Sequence, residues 1–317
     1  MKIACLQYDP HLGQVQRNQR RANQLLERFQ PGDIDVLVLP EMAFTGYVFN
    51  DRISIYPYLE DSQNGASVCW AKETAKRLQA YVMVGYPQIV KGQSDVYYNS
   101  ICLVDRTGQL VTNYQKSFLF ETDERWASEG PGFRSVDVKE LGRVGIGICM
   151  DLNPYKFQAP FHAFEFARFH RVKGSRLLLC SMAWLKQPEE EADEDKHGDA
   201  SDDEIESYDD TSNSMGDLGM IRGLGTNNRI AELSDIIEGA KHPATSVMNY
   251  WALRLLPLYS NIGDDDTGVL VAVANRCGSE AGLTFCGHSC VMRLTSRGVT
   301  LLGYLGGSEE KVLVVEV

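Results

Sequence analysis

The sequence of 317 residues lacks several features that would indicate particular classes of protein. Its apolar runs fall far short of the roughly 20 residues that a membrane-spanning helix needs, so we expect no membrane contact. No basic, amphipathic or signal-like segment precedes the first apolar stretch, and the eight cysteines include no Cys-x-x-Cys pair. These absences favour a soluble, cytoplasmic protein with reduced thiols.

Most of the chain also lacks an excess of charge of one sign, although the net charge is −12. Thirteen of the 43 acidic residues and one of the 31 basic residues lie in Pro188–Gly216, which leaves 30 of each elsewhere. This balanced remainder gives no electrostatic reason to expect nucleic acid as a partner. The acidic segment has few apolar side chains, so we expect a disordered insertion at about 188–216 within a single domain, 1–317.

Metal ligands at a familiar spacing are scarce. Cysteine and histidine come close together in Cys286-Gly-His288-Ser-Cys290, but this spacing is tighter than that of the usual zinc site. We therefore expect no metal ion, and the chemistry considered below needs no other cofactor.

Helical and strand-like stretches alternate along the chain, which indicates an α/β fold. A hairpin pattern occurs twice, at Asn99–Tyr114 and at His288–Tyr304, and each copy follows an apolar strand. The repeat predicts two similar halves. Two such sheets stacked face to face, with helices outside, would form a four-layer α-β-β-α sandwich. Coincidental similarity of the hairpins is the alternative.

Three segments each place a reactive side chain directly after a strand. Glu41 follows an apolar strand, Lys116 ends a hairpin strand, and Cys149 ends a strand rich in glycine. Because the carboxyl ends of parallel strands meet at one edge of a sheet, these side chains can lie together. Taken singly, each has a simpler explanation: a solvated loop glutamate, a surface lysine and a core cysteine.

These segments resemble, in order, the Glu, Lys and Cys motifs of the nitrilase superfamily of carbon–nitrogen hydrolases. Three later segments are also similar to that family: Asn249-Tyr250-Trp251-Ala252-Leu253-Arg254, Ala274-Asn275-Arg276-Cys-Gly278 and Leu283-Thr-Phe285-Cys-Gly287-His-Ser289. The resemblance covers nearly the whole chain. It implies the α-β-β-α sandwich of the nitrilase type, often paired into homodimers.

The segment after the cysteine identifies a branch of the family. Met150–Phe157 departs from the pattern of many members and resembles the fungal protein N-terminal amidases. That branch converts the side-chain amide of an N-terminal Asn or Gln of a polypeptide to the acid and releases ammonia. The alternatives are an amidase or nitrilase for small free amides, similar to the ω-amidases, and a non-catalytic scaffold that recruits partners through the acidic segment.

The resemblance also implies a role for each reactive side chain. Cys149 would attack the amide carbon and form a thioester, and Glu41 would act as general base. Lys116 and the backbone N–H of Met150 would hold the oxyanion. A free thiol is mostly protonated at neutral pH, so it needs such a base or a cationic neighbour.

Supporting residues follow from the same resemblance. Some members use a second glutamate to steady the lysine and position the substrate, and Glu124 and Glu129 both lie in the loop after Lys116. We expect Glu124 in that role because Asp123–Trp126 resembles the family pattern, with solvent exposure as the alternative. Asp151 is a candidate for binding the substrate's α-ammonium group, with a cap for the turn at Asn153-Pro154 as the alternative. Trp184 and Phe120 are candidate pocket walls, with core packing as the alternative for each.

A papain-like pair of cysteine and histidine is the mechanistic alternative. Among the six histidines, His288 is the one at a plausible strand start. If the family's chemistry applies, replacing His288 should leave turnover mostly intact.

Overall fold

The computed structural model describes residues 1–186, 243–260 and 268–317. The acidic segment expected at 188–216 lies outside the described residues, so its disorder stays a prediction. In the part of the chain that is described, no helix combines the length and the apolar character needed to cross a membrane.

The strands of the described ranges form two six-stranded sheets and one short hairpin. They are β1 (Lys2–Gln7), β2 (Val36–Val38), β3 (Tyr81–Val90), β4 (Val96–Val104), β5 (Leu110–Gln115), β6 (Arg134–Val138), β7 (Gly142–Ile148), β8 (Leu177–Met182), β9 (Val269–Asn275), β10 (Ser279–Glu280), β11 (Leu283–Thr284), β12 (Cys290–Thr295), β13 (Gly298–Tyr304) and β14 (Lys311–Glu316). The first sheet has the order β14-β1-β2-β3-β4-β5, and the second has the order β13-β12-β9-β8-β7-β6.

The two sheets have the same topology. Each has three parallel strands at its centre, β1-β2-β3 in the first and β7-β8-β9 in the second. An antiparallel hairpin continues each sheet on one side, β4-β5 or β12-β13. One antiparallel strand closes the other side, β14 or β6. The repeat predicted from the two hairpins is therefore confirmed at the level of whole sheets.

Four longer helices cover the outer faces of the sheets, and two helices of four residues lie in loops. In chain order the helices are α1 (Val15–Leu26), α2 (Arg52–Ile55), α3 (Ala66–Leu78), α4 (Glu121–Glu124), α5 (Glu165–Lys173) and α6 (Pro243–Arg254), with 3-10 turns at Tyr56–Tyr58, Cys149–Leu152, Tyr155–Phe157, Phe161–Ala163 and Leu256–Leu258. Helices α1 and α3 pack on the first sheet, and α5 and α6 pack on the second. The fold is the predicted four-layer sandwich.

The alternation of side chains along β1 shows how the layers are built. Ile3 and Cys5 point into the core between the sheets, whereas Ala4 and Leu6 point toward α1 and α3. A strand buried on both faces needs apolar residues at every position, which accounts for its continuous apolar sequence. The central strands of the two sheets therefore face each other across this core, and their carboxyl ends lie at a common edge.

Candidate active site

Glu41, Lys116 and Cys149 come together at this edge. Glu41 and Lys116 belong to the first sheet, where they follow β2 and β5, and Cys149 follows β7 of the second sheet. Glu41 and Lys116 are completely buried, and Cys149 is 8% exposed. The three segments chosen from the sequence thus meet at the boundary between the two sheets.

A buried lysine lies between two carboxylates. Lys116 Nζ is 2.7 Å from Glu41 Oε1 and 2.5 Å from Asp123 Oδ2. The Asn99 amide donates to the same two groups, at 2.6 Å to Glu41 and 2.9 Å to Asp123. Such a network can remain ionised away from water because each charge is paired and hydrogen-bonded.

The charges of this cluster shift one another's pKa. Burial by itself would lower the pKa of Lys116, but the charges of Asp123 and Glu41 outweigh it and raise that pKa. Burial raises the pKa of Glu41, an effect that Lys116 opposes and Asp123 reinforces. The lysine is therefore a fixed cation, and Glu41 is a stronger base than an exposed glutamate.

Cys149 has an unusual backbone conformation. Cys149 has a φ of 39°, in the left-handed region that most side chains avoid, and it opens the 3-10 turn Cys149–Leu152. The Met150 N–H follows in that turn, and the first N–H groups of a helical turn have no partner within it. Burial, and next the charge of Glu41, raise the pKa of the Cys149 thiol, so it is protonated at rest.

One backbone N–H connects the second sheet to the Glu41 carboxylate. The Ala183 N–H, just after β8, lies 2.9 Å from Glu41 Oε2. It also lowers the pKa of the Cys149 thiol. Ile148 pairs with Ser181 in the parallel register of β7 and β8, so Cys149 lies beside the same segment.

The lysine's second carboxylate is Asp123, and the expectation of Glu124 in that role was wrong. The Glu124 side chain is 47% exposed, with its carboxylate 3.7 Å from Lys156 Nζ. Consecutive helical residues point about 100° apart, so only one of the two can face Lys116 from helix α4. Asp123 also accepts the N–H of Phe120 at 3.0 Å, which fixes the start of that helix.

Asp151 does not offer an oxygen to a substrate ammonium. Its Oδ1 accepts the N–H groups of Ser117 at 3.1 Å and Phe118 at 2.9 Å. Its Oδ2 accepts the Tyr114 hydroxyl at 2.8 Å and the Ile148 N–H at 2.9 Å. None of these bonds reaches the turn at Asn153-Pro154, so Asp151 fits neither expectation: it fastens the lysine loop to the start of the cysteine turn.

The two aromatic candidates lie in different surroundings. Trp184 packs in the core, with its ring 5.6 Å from that of Tyr250 and 5.8 Å from that of Trp251. Phe120 is half-buried, beside the cluster that contains Tyr47 and Trp126. Of the two, Phe120 is the one that sits next to the lysine and Asp123.

His288 lies away from this edge. Its Nδ1 is 3.3 Å from the Leu305 carbonyl oxygen, at the end of β13. The papain-like alternative therefore has no support from its position. Across the described ranges, no three His, Cys, Asp or Glu side chains gather as metal ligands would.

Some contributors were missed in the sequence. Asn99, the Ala183 N–H and Asp123 give no separate signal, because their roles depend on how the sheets stack. Gly85 was also missed: a Cβ there would lie 2.7 Å from the Pro40 carbonyl oxygen and 2.8 Å from Glu41 Cα. Glycine at this position lets the backbone of Glu41 approach β3 closely.

Comparison with known sequences points to one family. A model of the carbon–nitrogen hydrolase family matches residues 2–154. The chain is 34% identical to the protein N-terminal amidase of Schizosaccharomyces pombe, over all of this chain and 99% of that protein. It is 35% identical to the protein N-terminal amidase of Saccharomyces cerevisiae, over 58% of this chain and 45% of that protein.

Solved structures share the fold. A crystal structure of N-terminal amidase with an Asn-Glu-Ala peptide has a TM-score of 0.75 and 24% identity, covering all of this chain and 97% of that one. A second, with a Gln-Val peptide, has a TM-score of 0.69 and 23% identity over the same shares. Together with the full-length relative, these findings show that the chain belongs to the carbon–nitrogen hydrolase family.

Proposed function

We propose that this protein is a cysteine amidohydrolase that converts the side-chain amide of an N-terminal Asn or Gln of a polypeptide to the acid and releases ammonia. The observation that carries the proposal is a buried Glu41–Lys116–Asp123 cluster beside the Cys149 thiol. The similarity to protein N-terminal amidases over the full chain supports this choice of substrate.

The first half of the reaction forms a thioester. Glu41 takes the proton of the Cys149 thiol, and the sulfur attacks the carbon of the side-chain amide. The carbonyl π electrons move to oxygen, and Lys116 and the Met150 N–H hold the resulting oxyanion. The oxyanion collapses, the C–N bond breaks, and protonated Glu41 gives its proton to the departing nitrogen, which leaves as ammonia.

The second half restores the enzyme. Glu41 removes a proton from a water molecule as the water oxygen attacks the thioester carbon. The new oxyanion is held at the same place. When it collapses, the C–S bond breaks, and the thiolate recovers its proton from Glu41. The net change replaces the amide NH2 by OH, and no cofactor takes part.

The pKa shifts support the roles of Glu41 as base and Lys116 as a fixed cation. A thiol whose pKa is raised by burial needs a base close by, and Glu41 has a raised pKa that suits proton transfer. Lys116 cannot compete as a base because the carboxylates on both sides keep it charged. It therefore supplies a fixed positive charge where the oxyanion forms.

Mass spectrometry of short peptides tests the proposal. An Asn-initiated peptide and a Gln-initiated peptide should each gain the mass that replaces NH2 by OH, and the N-acetylated Asn peptide should not. Free asparagine, free glutamine and a simple nitrile test the alternative of a small-molecule amidase. Conversion of the free molecules alone, with intact peptides, would contradict an N-terminal amidase.

We also propose a cellular location, the cytoplasm, and an oligomeric state, the homodimer. All eight cysteines are free thiols, which supports action in the reducing cytoplasm. The family resemblance supports a homodimer. Cell fractionation and light scattering of the purified protein test these two points, and a secreted or strictly monomeric protein would contradict them.

A further inference from the structure

Glu41, the proposed base, follows a strand of the first sheet, and Cys149, the proposed nucleophile, follows a strand of the second. Contacts between the sheets must therefore fix the positions of these two residues relative to each other. Three hydrogen bonds join the end of β8 to the end of β2. The Ser181 hydroxyl donates to the Leu39 carbonyl at 2.7 Å, and the Glu41 N–H donates to the Met182 carbonyl at 3.3 Å. The third is the bond from the Ala183 N–H to Glu41 Oε2. We call the segment Ser181–Trp184 the seam.

Asn275 holds the far end of the seam. It is completely buried at the end of β9, and its Oδ1 accepts the Trp184 N–H at 2.8 Å. Its Nδ2 donates to the Gly287 carbonyl at 2.8 Å and lies 3.4 Å from the Trp184 carbonyl oxygen. The Asn275 amide therefore contacts both the N–H and the carbonyl oxygen of Trp184. These contacts fix the orientation of the backbone directly after Ala183.

Ser289 in turn holds Asn275. The Ser289 hydroxyl accepts the Asn275 N–H at 2.9 Å and donates to the Asn275 carbonyl at 3.1 Å. Neither Ser289 nor Asn275 contacts Glu41 or Cys149. Both act on the site through the backbone of the seam.

Arg276 holds the other side of the base. Its N–H donates at 3.2 Å to the Met182 carbonyl, the same acceptor that Glu41 uses. Its guanidinium is buried and lies 2.7 Å from Glu280 Oε2. The other oxygen of Glu280 accepts the Tyr47 N–H at 2.8 Å, in the loop that follows Glu41.

We propose that the consecutive residues Asn275 and Arg276 are positioning residues that hold the base and the nucleophile in register across the two sheets. Asn275 fixes the segment whose Ala183 N–H binds Glu41 and which lies beside Cys149. Arg276 fixes the loop after Glu41 through Glu280. This inference rests on the proposed function, since it takes Glu41 as base and Cys149 as nucleophile.

The pH dependence of Cys149 reactivity provides a readout that a purely structural role would not move. The groups facing the thiol and the base are Lys116, Asp123 and Tyr47 of the first sheet. None of them is altered in Asn275→Ala. Loss of a well-placed N–H donor favours the protonated forms of both the thiol and the carboxyl, so both pKa values should rise.

The experiment measures alkylation of Cys149 by iodoacetamide against pH, with mass mapping to separate it from the other thiols. In Asn275→Ala the profile should move to higher pH by roughly half a unit or more. With an Asn-initiated peptide, kcat should fall about tenfold or more, because small misplacements of reacting groups have large effects on rate. KM should change little, since Asn275 is completely buried. Arg276→Met should also lower kcat.

A matched control separates positioning from stability. Glu60 is a buried carboxylate that accepts the Ser67 N–H at 2.7 Å and lies outside the site, so Glu60→Gln should lower the Tm without moving the alkylation profile. If Asn275→Ala does not fold, Ser289→Ala should give a smaller shift of the same sign.

The outcomes are distinct. A lowered Tm with an unmoved alkylation profile and unchanged kcat, in Asn275→Ala or in Ser289→Ala, would overturn the inference and leave the proposed function standing. A wild-type protein that turns over no N-terminal amide would overturn the proposed function, and the alkylation profiles would still decide whether Asn275 positions the thiol.

Discussion

The two sheets have the same topology but contribute different chemistry. The first sheet supplies charged side chains, with Lys116 between Glu41 and Asp123. The second supplies a thiol, Cys149, and a backbone donor, the Ala183 N–H. The first sheet's cluster is already paired without the second. The comparison shows that the paired charges are organised by one sheet, while Glu41 and Cys149 come together only where the two sheets meet.

Replacing the thiol should have the largest effect. Cys149→Ala removes the nucleophile, so turnover of an Asn-initiated peptide should fall by about 10³-fold or more. A matched control lies in the first sheet, where Cys102 is also a buried thiol. Cys102→Ala should keep most of the activity. Equal losses in the two variants, measured by steady-state kinetics, would show that the sheets do not divide the chemistry in this way.

Removing the lysine should break the first sheet's cluster. Lys116→Met leaves Glu41 and Asp123 buried without a cation, which should lower the free energy of unfolding by about 3–5 kcal/mol. Activity should be lost as well. Protonation relieves two unpaired carboxylates, so urea unfolding should show the deficit shrinking as pH falls. A deficit that does not change with pH would contradict this explanation.

The two neighbouring acids on helix α4 offer a matched pair. Asp123→Asn should lower kcat by about 10- to 100-fold, because the lysine loses one of its two partners. The Asp123 charge raises the pKa of Glu41, so the acid limb of kcat/KM should also move to lower pH. Glu124→Gln removes an exposed charge and should change kcat less than about twofold. Comparable losses in both variants would refute the assignment of Asp123.

Deleting the acidic segment should have the smallest effect. Replacing Pro188–Gly216 by a short Gly-Ser linker should leave kcat/KM within about twofold, because a sequence with dense like charge and few apolar side chains has little to bury. The same peptide assay measures this. A large loss with an unchanged Tm would show that the segment takes part in substrate binding, and would add a third contributor to the comparison of the two sheets.

The sequence alone was enough to predict the architecture and to choose three side chains that the structure brings together. The repeated hairpin reveals the two halves because a hairpin is a local feature, and strand-end motifs carry Glu41, Lys116 and Cys149. Strands β6 and β14 were not predicted. The segment of β6 is short and partly polar, so it resembles a loop until β7 pairs with it. The segment of β14 has four consecutive apolar residues that are typical of a strand, so its signal was present and was overlooked.

The supporting residues were harder to predict because their roles depend on where each side chain points rather than on the type of residue. Asp123 and Glu124 are adjacent acids, and only the turn of a short helix decides which one faces the lysine. Asp151 has the right charge to bind an ammonium group, but its four acceptor positions are filled by its own chain. Asn275 lies in the segment Ala274–Gly278, which resembles the family. Its contact with Trp184 could not be predicted, because the two residues are far apart in the chain.

Acid quenching during turnover tests the central claim most directly. Wild-type protein mixed with excess Gln-initiated peptide, quenched within its first turnovers and digested, should show the peptide's acyl group attached to Cys149. Because the oxyanion and the thioester form only when a carboxylate of the first sheet activates the thiol of the second, Glu41→Gln should show no such adduct. Turnover with Cys149 unmodified, or with an adduct on another residue, would contradict the account.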